Sequence, residues 1–83
     1  MPPREVEIRG ETIRLGQLLK LAGIAQDGGE AKALLEAGEV RVNGTVEERR
    51  GRQLRSGDVV SAAGEELLIG TAPRQDRDPL ADT

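Results

Sequence analysis

The chain contains no phenylalanine, tyrosine, tryptophan, cysteine or histidine. Each absence removes a class of function. Without aromatic rings, bases cannot stack on Phe, Tyr or Trp, so any nucleic-acid binding rests on charge, shape and hydrogen bonds. Without Cys there is no disulfide framework, and without Cys and His the usual zinc ligand sets are gone. Ser-His and Cys-His nucleophile pairs are excluded for the same reason. The apolar runs are a few residues long, too short for a membrane-spanning helix. The opening MPPREVEIRG has no hydrophobic region of the kind a signal peptide carries. A cytoplasmic protein is expected, with no cofactor, no metal, no membrane partner and no small-molecule substrate.

What remains is a chain of 83 residues, best read as one domain. A domain of this size is marginal on its own, and its core must be built from Leu, Ile, Val and Ala. The formal net charge is −3, which argues against nucleic acid until its distribution is considered. Residues 12–57 hold eight basic and six acidic side chains, and every other stretch is net negative. Arg49, Arg50, Arg52 and Arg55 fall in one short loop with no acid among them. Four such charges repel one another unless something negative neutralises them, and a basic field on an acidic body is compatible with RNA binding.

The hydrophobic periods define the elements. Glu5-Val6-Glu7-Ile8-Arg9 alternates, the mark of a half-buried strand with Val6 and Ile8 inward. Gly10-Glu11 reads as a turn and Thr12-Ile13-Arg14 as a short return strand. Leu15, Leu18, Leu19 and Ala22 form one stripe of a first helix, with Gln17 and Lys20 off it. Gly23 ends that helix in a left-handed conformation, and Ile24 folds back on the core. Asp27-Gly28-Gly29-Glu30 fits a capping box opening a second helix, on which Ala31, Leu34 and Leu35 make the stripe and Gly38 the end. Val40-Arg41-Val42, Asn43-Gly44 and Thr45-Val46-Glu47 read as a hairpin around a type I′ turn. Leu54 is the one large apolar residue of the arginine loop and is expected to pin it to the core. Val59-Val60 and Leu67-Leu68-Ile69 are the last strands. The architecture expected is α+β, two short helices packed on one face of a small antiparallel sheet. It spans 5–70, with a flexible N-terminus at 1–4 and a disordered tail at 71–83.

The surface left outside that core carries the cations. Lys20, Lys32, Arg41, Arg49, Arg50, Arg52 and Arg55 are the candidate phosphate contacts, because a guanidinium fork pairs bidentately with phosphate oxygens. Gly51 keeps a side chain out of the way between Arg50 and Arg52. Gly28 and Gly29 are costly in a helix. They make sense if the helix start must stay open, since its free N–H groups attract phosphate. Against this stand plainer readings: a solvated charged face, a Lys32–Glu36 surface pair and a flexible loop running into a helix.

Several blocks together resemble the S-four RNA-binding domain family. They are LGQLLKLAG, GGEAK, the Glu-Ala-Gly that closes the second helix, VRVNG, RRGR-x-L-x-x-GD and Gly57-Asp58-Val59-Val60. They are most similar to its small stand-alone, YbcJ-like bacterial subgroup. The resemblance covers about 5–70. It implies a helix pair on a small sheet, and RNA binding through that pair and the adjoining loop. By position it implies contacts from Lys20, Gly28, Gly29, Lys32, Arg41, Asn43, Arg49, Arg50 and Arg52. Many members of the family append the domain to a catalytic one, and no residues remain here for such a domain, so no catalysis is expected. Glu30 in the second helix and the net negative charge depart from the family pattern.

The function expected is non-enzymatic binding of structured RNA, ribosomal or transfer RNA, by a monomer, with the ribosome as a further candidate partner. The alternative is a protein-interaction adaptor associated with ribosomes or their assembly, motivated by the acidic C-terminal part. An enzyme using Asp58, Glu47 or Glu48 ranks last. Asp58 follows a turn glycine and is better explained as the cap of that turn.

Overall fold

The computed structural model describes residues 3–71. The strands are β1 (Arg4–Ile8), β2 (Thr12–Arg14), β3 (Arg41–Val42), β4 (Thr45–Val46), β5 (Gln53–Arg55), β6 (Val59–Ala62) and β7 (Glu65–Thr71). The helices, α1 (Leu15–Leu21) and α2 (Gly28–Glu36), lie between β2 and β3. The sheet starts one residue before 5–70 and ends one after it. The tail expected at 71–83 lies outside the described residues except for Thr71, as do the first two residues of the expected flexible N-terminus.

Five strands form one sheet in the order β1-β7-β6-β3-β4, and β2 pairs separately with β5. The α+β class stands, but the sheet is mixed rather than wholly antiparallel. β1 runs parallel to β7, with Val6 opposite Ile69. The remaining pairs of the sheet are antiparallel. Alternation along β1 specifies which side chains face inward and says nothing about the direction of the partner strand. The return strand expected at Thr12-Ile13-Arg14 forms, but it turns away from β1. It pairs antiparallel with β5, placing Ile13 opposite Leu54.

The core is one cluster. Leu15, Leu18 and Leu19 of α1 meet Ala31 and Leu35 of α2, and both stripes meet Val6, Ile8, Val42, Val60, Leu67 and Ile69 of the sheet. Leu54 is completely buried in the same cluster, so the arginine loop is pinned as expected. Truncating such a leucine to alanine costs about 2–5 kcal/mol, a large share of the stability a domain this small can have.

The helix ends follow their local chemistry. The Asp27 side chain accepts a hydrogen bond from Glu30 N at 2.8 Å and starts α2. Gly23 (φ 77°) and Gly38 (φ 73°) take the left-handed conformation that ends each helix. Asn43 (φ 51°) and Gly44 (φ 86°) both have positive φ, as a type I′ turn requires. That turn sets the register of β3 against β4, Arg41 opposite Val46. Glu47 N then donates to Val40 O at 3.0 Å. Val46 is left exposed and Glu47, just past the strand, is buried.

Candidate nucleic-acid interface

A shallow groove of about 830 Å³ runs between the two helices and the arginine loop. Arg14, Gly16, Gln17 and Lys20 line it from the end of β2 and from α1. Gly28 and Ala31 line it from α2, and Arg49, Arg50 and Gly51 close it from the loop. Four of these nine residues are cations and none is an acid. Arg14, Lys20, Arg49 and Arg50 are all exposed.

Backbone hydrogen bonds hold the loop against α1. Leu15 N donates to Arg52 O at 2.8 Å, and Gly16 N donates to Arg50 O at 3.0 Å. The first free N–H groups of α1 are therefore consumed by the loop. Those of α2 are not: among the described residues, neither Gly28 N nor Gly29 N has an acceptor. A Cβ built on Gly28 would lie 3.9 Å from Arg50 Nη1. The Arg50 guanidinium thus stands beside the positive end of the α2 dipole, an arrangement that favours an anion between them.

The acid that neutralises the arginine loop is Glu47, just upstream of it. Its carboxylate accepts from Arg52 Nη1 at 2.7 Å, and from Arg49 Nε at 3.2 Å and Nη2 at 3.3 Å. It also accepts from the backbone N of Glu48 and of Arg49. Hydrogen bonds from the Arg49 and Arg52 side chains, then from the Arg49 backbone, hold its pKa at about 2 against an ordinary 4.5. The same contact raises the pKa of Arg49. The expectation of four arginines with no acid to neutralise them is corrected here. Two of the four are paired, because the loop curls back over a carboxylate that precedes it in sequence.

Of the residues singled out in the sequence, the groove brings together Lys20, Gly28, Arg49 and Arg50, with Gly29 beside Gly28. The others lie elsewhere. Lys32 faces Glu36 one turn along α2 at 3.8 Å. Arg41 lines a separate depression of about 210 Å³ with Glu39, Glu65 and Glu66. Arg52 is half-buried beneath the loop on Glu47. Arg55 lies on β5 opposite Thr12.

Asn43 is occupied by the fold. Its Nδ2 donates to Asp58 Oδ1 at 3.1 Å, and its Oδ1 accepts from Val59 N at 2.9 Å. Asp58 also accepts from Arg55 N at 2.9 Å, capping its turn. Partial burial pushes the Asp58 carboxyl up. The hydrogen bonds from Arg55 N and Asn43, with the charges of Arg52 and Arg55, outweigh it and leave the pKa below its ordinary value.

Sequence reasoning missed Arg14. It belongs to a three-residue strand whose partner, β5, lies some forty positions away, so nothing local places it beside the arginine loop. Gln17, recognised as lying off the α1 stripe, carried the better signal: the outward face of α1 is the floor of the groove.

With this geometry in hand, the sequence profile of the S4 domain matches residues 6–70. The chain belongs to the S4 domain family. Its S4 domain is 51% identical over 59 residues to the "Probable ribosome maturation protein RlbA" of Bacillus subtilis (strain 168), spanning 71% of this chain and 83% of that one. It is 37% identical over 57 residues to the "Putative RNA-binding protein YbcJ" of Escherichia coli (strain K12), spanning 69% and 81% of the two chains. A tyrosine–tRNA ligase of Ralstonia nicotianae is 35% identical over 60 residues, but only 15% of its length is matched, so the S4 domain is a small part of that enzyme. Among solved structures, the 30S ribosomal protein S4e of Thermoplasma acidophilum shares the fold with a TM-score of 0.53 at 23% identity, over 69% of this chain and 30% of that one. The RlbA and YbcJ names describe ribosome maturation and RNA binding rather than a reaction. Among the described residues no helix is long and apolar enough to cross a membrane. No cluster of His, Cys, Asp and Glu there is suited to a metal ion.

Proposed function

We propose that this S4 domain binds structured RNA without catalysis, seating the phosphate backbone in the groove between α1, α2 and the loop. The observation that carries this reading is the convergence of Arg14, Lys20, Arg49 and Arg50 on one groove with no carboxylate in its lining, on a chain whose net charge is −3. Such a groove attracts a polyanion while the body of the protein repels it, which confines binding to one orientation. With no aromatic residue to stack on, recognition is by phosphate position and helical shape, and bases are read little. The name of the RlbA relative, a probable ribosome maturation protein, favours ribosomal RNA as the ligand, and we place the protein in the cytoplasm as a monomer. Transfer RNA is the competing ligand, suggested by the domain shared with the ligase.

The test is a titration of the chain against a folded ribosomal RNA fragment and a transfer RNA at several salt concentrations. About four phosphate contacts give a slope of log K against log salt of about −3. Arg14→Ala and Arg50→Ala should each weaken binding about tenfold and reduce the slope by about 1. Arg41→Ala should leave both unchanged. Equal effects of Arg41→Ala and Arg50→Ala would remove the groove as the site.

A further inference from the structure

Glu47 is the one buried carboxylate among the described residues. On charge alone it should hinder RNA binding, because it places a negative group behind two arginines of the loop. The geometry points to the opposite role, and we infer that Glu47 is a positioning residue for RNA recognition. It holds the loop and the Arg49 fork in their bound arrangement before RNA arrives. This inference rests on the reading of the groove as an RNA site.

Three observations support it. Glu47 gathers the backbone N–H groups of Glu48 and Arg49 together with the side chains of Arg49 and Arg52, so one carboxylate fixes both the start and the far side of the loop. It engages Arg49 through Nε and Nη2 only. Arg49 Nη1 has no acceptor among the described residues, and the side chain remains 76% exposed at the rim of the groove. One edge of the guanidinium is therefore anchored while the other is presented. Finally, the backbone of the same loop is bonded to α1 through Arg50 O and Arg52 O, so ordering the loop also orders the groove wall. A preordered arginine loses less side-chain freedom when phosphate binds, which is how preorganisation raises affinity.

The decisive comparison is between two variants that change the charge equally. Glu47→Gln and Glu48→Gln each remove one negative charge, but Glu48 is exposed and only its backbone N–H enters the network. Glu48→Gln should bind structured RNA as tightly as wild type or up to about twofold more tightly, following the charge. Glu47→Gln should bind about fivefold or more weakly despite the same gain in positive charge. In an Arg49→Ala background the penalty of Glu47→Gln should shrink. An undiminished penalty there would show that Glu47 acts through the fold at large and would overturn the inference.

A measurement on the wild-type protein keeps the test independent of whether Glu47→Gln folds. By NMR, the Arg49 Nε–H of the free protein should exchange with solvent more slowly than the Arg41 Nε–H, and equal rates would overturn the inference. The two levels fail differently. If wild type does not bind and Arg50→Ala has no effect, the RNA reading itself falls. If wild type binds through Arg50 but Glu47→Gln binds as well as Glu48→Gln, only the role of Glu47 falls.

Discussion

Arg50 occupies the space that a side chain on Gly28 would approach: its Nη1 stands 3.9 Å from the position of a Cβ there. The guanidinium lies beside the start of α2, where the N–H groups of Gly28 and Gly29 have no acceptor among the described residues. A loop more than twenty residues downstream thus reaches the start of this helix.

Gly28→Ala separates stability from function. The φ of Gly28 is not positive, and 3.9 Å is ordinary contact with the far end of a flexible side chain. Alanine should be tolerated and should stabilise the fold by about 0.4–1 kcal/mol, by restricting the unfolded chain. The added methyl partly covers the helix start, so RNA affinity should fall severalfold while the thermal midpoint rises. Thermal denaturation and RNA titration of the same preparation check both halves.

Asn43 should behave as a structural residue. Asn43→Ala removes the bonds to Asp58 and Val59 N and places an alanine at φ 51°. Loss of stability of about 2 kcal/mol or more is expected from the lost hydrogen bonds and the left-handed backbone together. At a temperature where the variant is folded, RNA affinity should match wild type. A selective loss of affinity with unchanged stability would return Asn43 to the interface.

The Glu47 carboxylate makes stability depend on acid pH. Its folded pKa is about 2 and its ordinary value 4.5, so between these values the unfolded chain binds the extra proton. The stabilisation it contributes is present in full above about pH 4.5 and is lost as pH falls towards 2. Asp58, also held below its ordinary value, acts in the same direction. The thermal midpoint of wild type should fall across this window. That of Glu47→Gln should fall less steeply but still decline, because Asp58 remains.

Much of the fold was legible in the sequence because it depends on local rules. Leu15, Leu18 and Leu19 repeat at the helical period, Asp27 precedes two glycines and Glu30, and Asn43-Gly44 admits a left-handed turn. Each is settled within a few residues of itself, whatever lies elsewhere in the chain. The site was legible only as a set of residue types, since charge in a sequence shows where a cation sits along the chain and not what faces it.

Partners across long separations were decided by the tertiary structure. The pairing of β1 with β7 and of β2 with β5 follows from how the inward side chains share one core, and alternation carries no record of strand direction or partner. The pairing of β2 with β5 carries the arginine loop to the start of α1. That of β3 with β6 sets Arg41 opposite Ser61 in a separate depression among carboxylates. The β3–β4 hairpin leads into Glu47, which lies under Arg49 and Arg52. Composition determined by itself that this protein recognises without aromatic rings, thiols or imidazoles. Which of its cations meet in one place, and which are already neutralised, is a property of distances in space, and those exist only once the chain has folded.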